Sequence, residues 1–154
     1  MSRPSPRNDR GPTLGSLLRL ASQVMTEKHG RWLEASGFGD LQPAHSAVFQ
    51  PLWDLPEGAR LTTLARASRI TKQSMSALVD HLEKHGYVER VADADDARAS
   101  LVRLTARGRA FVRAIRGFAR EIEADWAERV GARRVEDLRA TLELLAKSWR
   151  SEEE

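Results

Sequence analysis

The sequence contains no cysteine, which removes disulfide scaffolding, thiolate metal centres and thiol-based sensing from consideration. No apolar run approaches the length needed to cross a bilayer, and the opening MSRPSPRNDRGP lacks the apolar stretch of a secretion signal. A cytoplasmic protein without a membrane partner is expected. Also missing are the G-x-S-x-G, H-E-x-x-H, P-loop and dinucleotide-glycine patterns. With no nucleophile paired to a base either, an enzyme is not expected, and neither is a cofactor. No internal repeat emerges.

What is present is a soluble, globular composition: 154 residues, 41% hydrophobic and 31% charged, enough for one compact domain. The net charge of +3 hides an uneven distribution. From Arg60 to Arg116 twelve basic residues stand against six acids, whereas from Glu121 to Glu154 ten acids stand against six bases. A basic middle and an acidic end imply different partners for the two regions.

Residues 1–12 carry three prolines and three arginines with almost nothing apolar, and are expected to form a flexible arm. From Thr13, apolar Leu14, Leu17, Leu18, Ala21, Val24, Met25 and Trp32 recur at spacings of three and four, predicting a helix that fades near Gly37. Pro43 suits the first turn of a second helix, which should continue through Val48, Leu52 and Leu55 until Pro56-Glu57-Gly58. A short third helix begins at Leu61 and breaks around Ser68 to Ile70. Thr71 is a good N-cap for a fourth, running to about His85 with Met75, Leu78, Val79 and Leu82 as its buried stripe. Gly86 stands where a left-handed C-cap would end it.

Tyr87 to Val91 and Leu101 to Leu104 then read as two strands of a hairpin, joined by a polar loop from Ala92 to Ser100. Thr105 can cap a long fifth helix with the stripe Phe111, Ile115, Phe118, Ile122, Trp126 and Val130, interrupted at Gly131. A sixth helix carries Val135, Leu138, Leu142, Leu145 and Trp149, ahead of a frayed SEEE end. The predicted fold is mainly α with a small β-hairpin wing: a winged helix-turn-helix over about 43–104, flanked by helices over about 13–36 and 105–149, in one domain spanning 13–150.

Two short helices joined by a tight turn, followed at once by a hairpin, describe a DNA-binding motif in which the second helix enters the major groove. Burying Met75, Leu78, Val79 and Leu82 leaves Lys72, Gln73, Ser76, Ala77, Asp80 and Lys84 on the free face, with Thr71 and Ser74 at the entry. Glutamine can bond adenine through two hydrogen bonds, serine either base type, and lysine a guanine or a phosphate. The helix N-terminus itself favours phosphate. Double-stranded DNA is therefore the expected partner.

Leu64 to Gly108 resembles the MarR family of bacterial transcriptional regulators. The likeness rests on Leu64-Ala65, the Lys72-Gln73 helix start, Leu78-Val79-Asp80 with Leu82-Glu83, Gly86-Tyr87-Val88 with Arg90, the wing Asp96-x-Arg98, and Leu104-Thr105-x-x-Gly108. It implies a homodimer whose first and last helices intertwine and whose two motifs bind a pseudo-palindromic operator, usually as a repressor. It further implies that Asp96 orients Arg98 toward a minor groove, with Arg90 supporting the wing. A small aromatic or phenolic effector between the dimer helices and the DNA-binding motif is implied too, with Trp32, Phe49, Trp53 and Phe111 as its lining; the same residues also suit a plain aromatic core. Many members carry arginine where this chain has Ala77, His81 and Ala97, and glycine where it has Arg69. Specific contacts are accordingly expected to shift to Lys72, Gln73, Ser74 and Ser76.

Other readings compete at particular residues. Asp93, Asp95 and Asp96 resemble the start of a calcium loop, but Arg98 occupies its glycine position and Leu104 its closing glutamate. His81 and His85 have a zinc-compatible spacing without a third ligand nearby in sequence, so no metal is expected. A winged-helix module that binds another protein remains the alternative to DNA binding, and the terminal helices could instead fold back on their own motif.

Overall fold

A computed structural model describes residues 11–151. Most of the arm expected over 1–12 and the last three residues of the SEEE end fall outside that range. Six helices and a three-stranded sheet follow one another as α1 (Leu14–Ala35), a 3-10 turn (Pro43–His45), α2 (Ser46–Leu52), β1 (Ala59–Arg60), α3 (Leu61–Ala67), α4 (Lys72–Lys84), β2 (Val88–Asp93), β3 (Asp96–Leu104), α5 (Ala106–Val130) and α6 (Ala132–Ser151). The expected class is what the chain adopts: mainly helical, with a winged helix-turn-helix between long terminal helices. No described helix is long and apolar enough to cross a membrane.

Local chemistry accounts for the element ends. The hydroxyls of Thr13, Thr71 and Thr105 cap α1, α4 and α5 by accepting from the N–H groups of Ser16, Ser74 and Gly108. At the end of α4, Gly86 turns left-handed (φ 75°). Its N–H donates to Glu83 O (3.0 Å) and the Tyr87 N–H to Leu82 O (2.8 Å), closing the helix in a Schellman motif. A side chain at Gly108 would collide with the Tyr87 carbonyl, so glycine lets the start of α5 lie directly on the strand entrance.

The second helix is shorter than expected. Pro43–His45 forms a 3-10 turn, α2 ends at Leu52, and Leu55 is exposed instead of buried. Pro51 explains part of this: it has no N–H to offer the Ala47 carbonyl one turn earlier. That carbonyl accepts instead from Ser68 Oγ (2.5 Å), tying α2 to the turn between α3 and α4. In this turn Arg69 adopts φ 53°, a left-handed conformation that costs a non-glycine residue roughly 1–2 kcal/mol.

The wing also differs from expectation. Both strands are longer, and the polar loop shrinks to Ala94 and Asp95, because Ala92 pairs with Ser100 and Asp93 with Asp96 across the hairpin. Tyr87 lies just before β2 and is fully buried. A further strand, β1, pairs antiparallel with β3 (Ala59 with Val102, Arg60 with Leu101), giving the order β1-β3-β2. Two residues of strand are too short to leave a period-two pattern in the sequence.

The core joins Val48, Phe49 and Leu52 of α2 to Leu64, Met75, Val79, Leu82, Tyr87, Val88, Val102 and Phe111. Leu78 packs against it from a half-buried position. The terminal helices behave otherwise. Leu33 alone is buried on α1, and Leu14, Leu17, Leu20, Leu138, Leu142 and Leu144 are exposed. Val130, expected to close the α5 stripe, is exposed as well. The side chain of Trp149, expected in the α6 stripe, lies outside the described ones.

Candidate nucleic-acid interface and the cavity behind it

Helix α4 buries Met75, Val79 and Leu82 and turns its first turn outward: Thr71, Lys72, Gln73, Ser74 and Ala77 are exposed, and Ser76 is half-buried. Burial on α2 and α3 thus decides which face is free, and the Thr71 cap fixes the direction of the helix start. The cap also engages the Ser74 hydroxyl, 2.9 Å from Thr71 Oγ1. Ser74 is therefore occupied within the helix start, while Lys72 and Gln73 point their chemistry outward.

Three carboxylates of the motif are paired with arginines by the fold. Asp80, on the free face of α4, takes Arg90 Nη2 at 2.6 Å, and Glu83 takes Arg90 through both its guanidinium and its backbone N–H. Arg90 on β2 thereby ties the wing to α4. Asp93 is almost fully buried, with Oδ2 accepting from Arg60 Nε (2.7 Å) and Oδ1 from the Asp95 N–H (3.0 Å). These two donors hold its carboxyl below the usual aspartate range. Arg60 also lies 3.7 Å from Asp96, so one guanidinium holds both residues that flank the turn at the tip of the wing. Sequence reading missed Arg60, since its partner is 33 residues away and no local pattern links them.

Asp96 Oδ1 accepts the backbone N–H of Arg98 (3.0 Å). Asp96 therefore shapes the chain at Arg98 rather than holding its guanidinium, and Arg98 is exposed on the wing. Lys72, Gln73 and Arg98 thus occupy exposed positions on the two elements that Arg90 joins.

Behind the motif, a cavity of about 240 Å³ opens between α1, α2 and α5. Phe49, Trp53 and Phe111 line it as expected, together with His29, His45 and Phe118, which the sequence did not single out. Trp32 does not line it. Its ring stacks on Phe118 (4.9 Å between centroids) and Phe38 (5.9 Å), because α1 presents Trp32 to the aromatic cluster and His29, one turn earlier, to the opening. His29 Nε2 and Trp53 Nε1 are buried without a hydrogen-bond partner, and burial lowers the His29 pKa. Unsatisfied buried polar atoms in an apolar cavity are costly and mark where a polar ligand atom would be accepted.

His81 and His85 do not converge on a metal position. Their rings stack (4.2 Å), and His45 stacks on the other side of His81 (4.5 Å). Among the described residues no group of three histidine, aspartate or glutamate side chains is arranged to hold a metal ion.

Residues 41–99 match the sequence model of the MarR family, which bears out the resemblance read from the residues. No curated protein matches the chain significantly. Among solved structures, a DNA complex of Staphylococcus aureus MepR is similar over 90% of this chain and 99% of that one (24% identity, TM-score 0.73). A DNA complex of Streptococcus pneumoniae FabT is similar over 90% and 96% (17% identity, TM-score 0.77). A MarR-family protein of Mycobacterium tuberculosis in complex with salicylic acid is similar over 88% and 98% (28% identity, TM-score 0.66). The first two likenesses speak to the fold.

Proposed function

Taking the winged motif as that of a MarR-type regulator, we propose that this chain is a homodimeric, sequence-specific DNA-binding transcriptional regulator. The observation that carries the proposal is the exposed, capped first turn of α4 joined through Arg90 to a wing that displays Arg98. Lys72 and Arg98 supply phosphate and minor-groove contacts, and Gln73 and Ser76 read base edges. Two similar folds are known in complex with DNA.

The second copy is proposed from the uncovered leucines of α1 and α6, whose combined apolar surface is out of place on a monomer. Pairing these helices sets two α4 helices on successive major grooves, about one helical turn apart. Duplexes selected from a random pool should contain an inverted repeat. Affinity that is independent of sequence at physiological salt would defeat the reading.

The regulatory sense proposed is repression relieved by a small aromatic or phenolic effector. The support is an apolar cavity with two unsatisfied nitrogens, and a relative that binds salicylic acid. An occupant there would contact α1, α2 and α5 at once, and so favour one spacing of the reading helices over another. Titration of a phenolic carboxylate should raise the melting temperature and release the duplex. A ligand that stabilises the protein while leaving the duplex bound would remove the regulatory part.

A further inference from the structure

We propose that the stacked imidazoles of His45, His81 and His85 form a proton-sensitive latch that holds α4 against the Pro43–His45 turn, and that acidification loosens α4. The geometry defines the protonation state of His45 in the latched form. His45 Nδ1 accepts the Gln42 N–H (2.8 Å), so its proton sits on Nε2. His81 Nε2–H donates to the Asp40 carbonyl (2.8 Å), and His85 Nδ1–H to the His81 carbonyl (2.8 Å). The ring of His45 is thus neutral with a defined tautomer, while His81 and His85 each spend one ring N–H on a backbone carbonyl.

A proton added from solvent to His45 Nδ1 sets N–H against the Gln42 N–H and breaks the bond that closes the turn. It also places a cation 4.5 Å from the ring of His81, so that further protonation stacks like charges. Little is available to offset them. Asp40 is the carboxylate facing His45, and its oxygens already accept from the Tyr87 hydroxyl (2.8 Å) and Arg107 of α5 (2.9 Å). On α4, Asp80 and Glu83 are taken by Arg90, and Lys84 adds a further positive charge. From α1, His29 borders the same cavity, whose lining contains no carboxylate.

The pH window follows from His45. Burial, then the facing His81 and His85, lower its pKa from 6.5 to about 4, against a smaller opposing pull from Asp40. The loosened state therefore binds more protons between those values, and the latch is intact above about 6.5 and weakens as pH falls toward 4. At pH 5.5 the same two values favour the loosened state by about tenfold.

Weaker duplex binding in acid follows if the DNA-binding reading holds. Its sign is informative, because added positive charge on a reading helix would by itself tighten phosphate binding. The deciding experiment uses the full chain without DNA: hydrogen exchange at pH 7.5 and 5.5, corrected for intrinsic rates. Amides of α4 should lose about tenfold in protection relative to those of α5. The non-titrating triple variant His45→Asn, His81→Gln, His85→Asn keeps hydrogen-bonding groups at the three positions and should show less than about a twofold loss. Parallel changes in α4 and α5, or an unchanged loss in the variant, would overturn the latch. Should the variant fail to fold, ring resonances of the wild-type protein decide: His45 titrating near 6.5 with no accompanying shift in α4 amides overturns it, and titration well below 6.5 coupled to those amides supports it. A chain that binds no duplex at pH 7.5 would defeat the DNA-binding reading and leave the exchange result to judge the latch.

Discussion

The winged motif and the terminal helices are built from equally regular apolar stripes, yet they end in opposite states. In the motif, Val48, Leu64, Met75, Val79 and Leu82 are completely covered. In the terminal helices, Leu14, Leu138 and Leu144 remain 66%, 51% and 68% exposed. Polar groups divide less sharply: Asp93 is buried against Arg60 within the motif, whereas the Arg90 pairs with Asp80 and Glu83 lie at the surface, as do Arg139 with Glu123 and Arg129 with Asp125 on the terminal helices. The motif is complete within one chain. The leucines of the terminal helices have no such cover, the physical basis for proposing a second copy there.

The sharpest way to test that division is to damage each side and compare the consequences. Met75→Ala, in the covered part, leaves a cavity under α4 and should lower unfolding stability by about 2–5 kcal/mol, measured by denaturant titration. Leu138→Glu with Leu142→Glu, in the uncovered part, should instead leave helicity intact and convert a dimer to monomers. Each buried leucine contributes about 1.5–3 kcal/mol, so the dimer should weaken at least about 100-fold by light scattering and sedimentation. A double variant that stays dimeric at micromolar concentration would refute the proposed pairing surface.

Smaller effects distinguish positioning from reading within the motif. Arg98→Ala should weaken binding to all duplexes by about tenfold and reduce the salt slope by about one phosphate. An unchanged slope would mean that the wing does not touch DNA. Gln73→Ala should spare overall affinity more and flatten the preference at one base position per half-site, a loss of about 1–3 kcal/mol in discrimination. The smallest effect is expected from acid acting on the wing anchor. The Asp93 carboxyl is held below its usual range by the Asp95 N–H and Arg60, so its contribution is present above the ordinary aspartate pKa of 3.8 and disappears as pH falls below that. Asp93→Asn should remove this dependence, as read from protection of the β2 and β3 amides.

Much of this organisation is legible in the amino-acid sequence. Thr71 and Thr105 announce helix starts, Gly86 a helix end, and the stripe of α4 its buried face, because caps and periodicity act over a few residues. The class of interface followed from the same stripe, since knowing what is buried on α4 tells which side chains are left over. Local rules failed at Leu55, which lies beyond the end of α2 and is exposed, and in the wing, where cross-strand pairing extended both strands into residues that read as loop.

What tertiary structure alone decided is which distant groups meet. Arg60 finds Asp93, Arg90 finds Asp80 and Glu83, and His45 completes a stack with His81 and His85. Trp32 leaves the cavity lining while His29 and Phe118 enter it. Helix periodicity assigns a residue to a face, and composition assigns a segment its charge, but neither records the rotation of one helix against another. The amino-acid sequence by itself therefore determined the winged helix-turn-helix and the outward face of its fourth helix. Packing determined which charges cancel, which ring lines the cavity, and which histidines touch, because those outcomes depend on contacts between segments far apart in the chain.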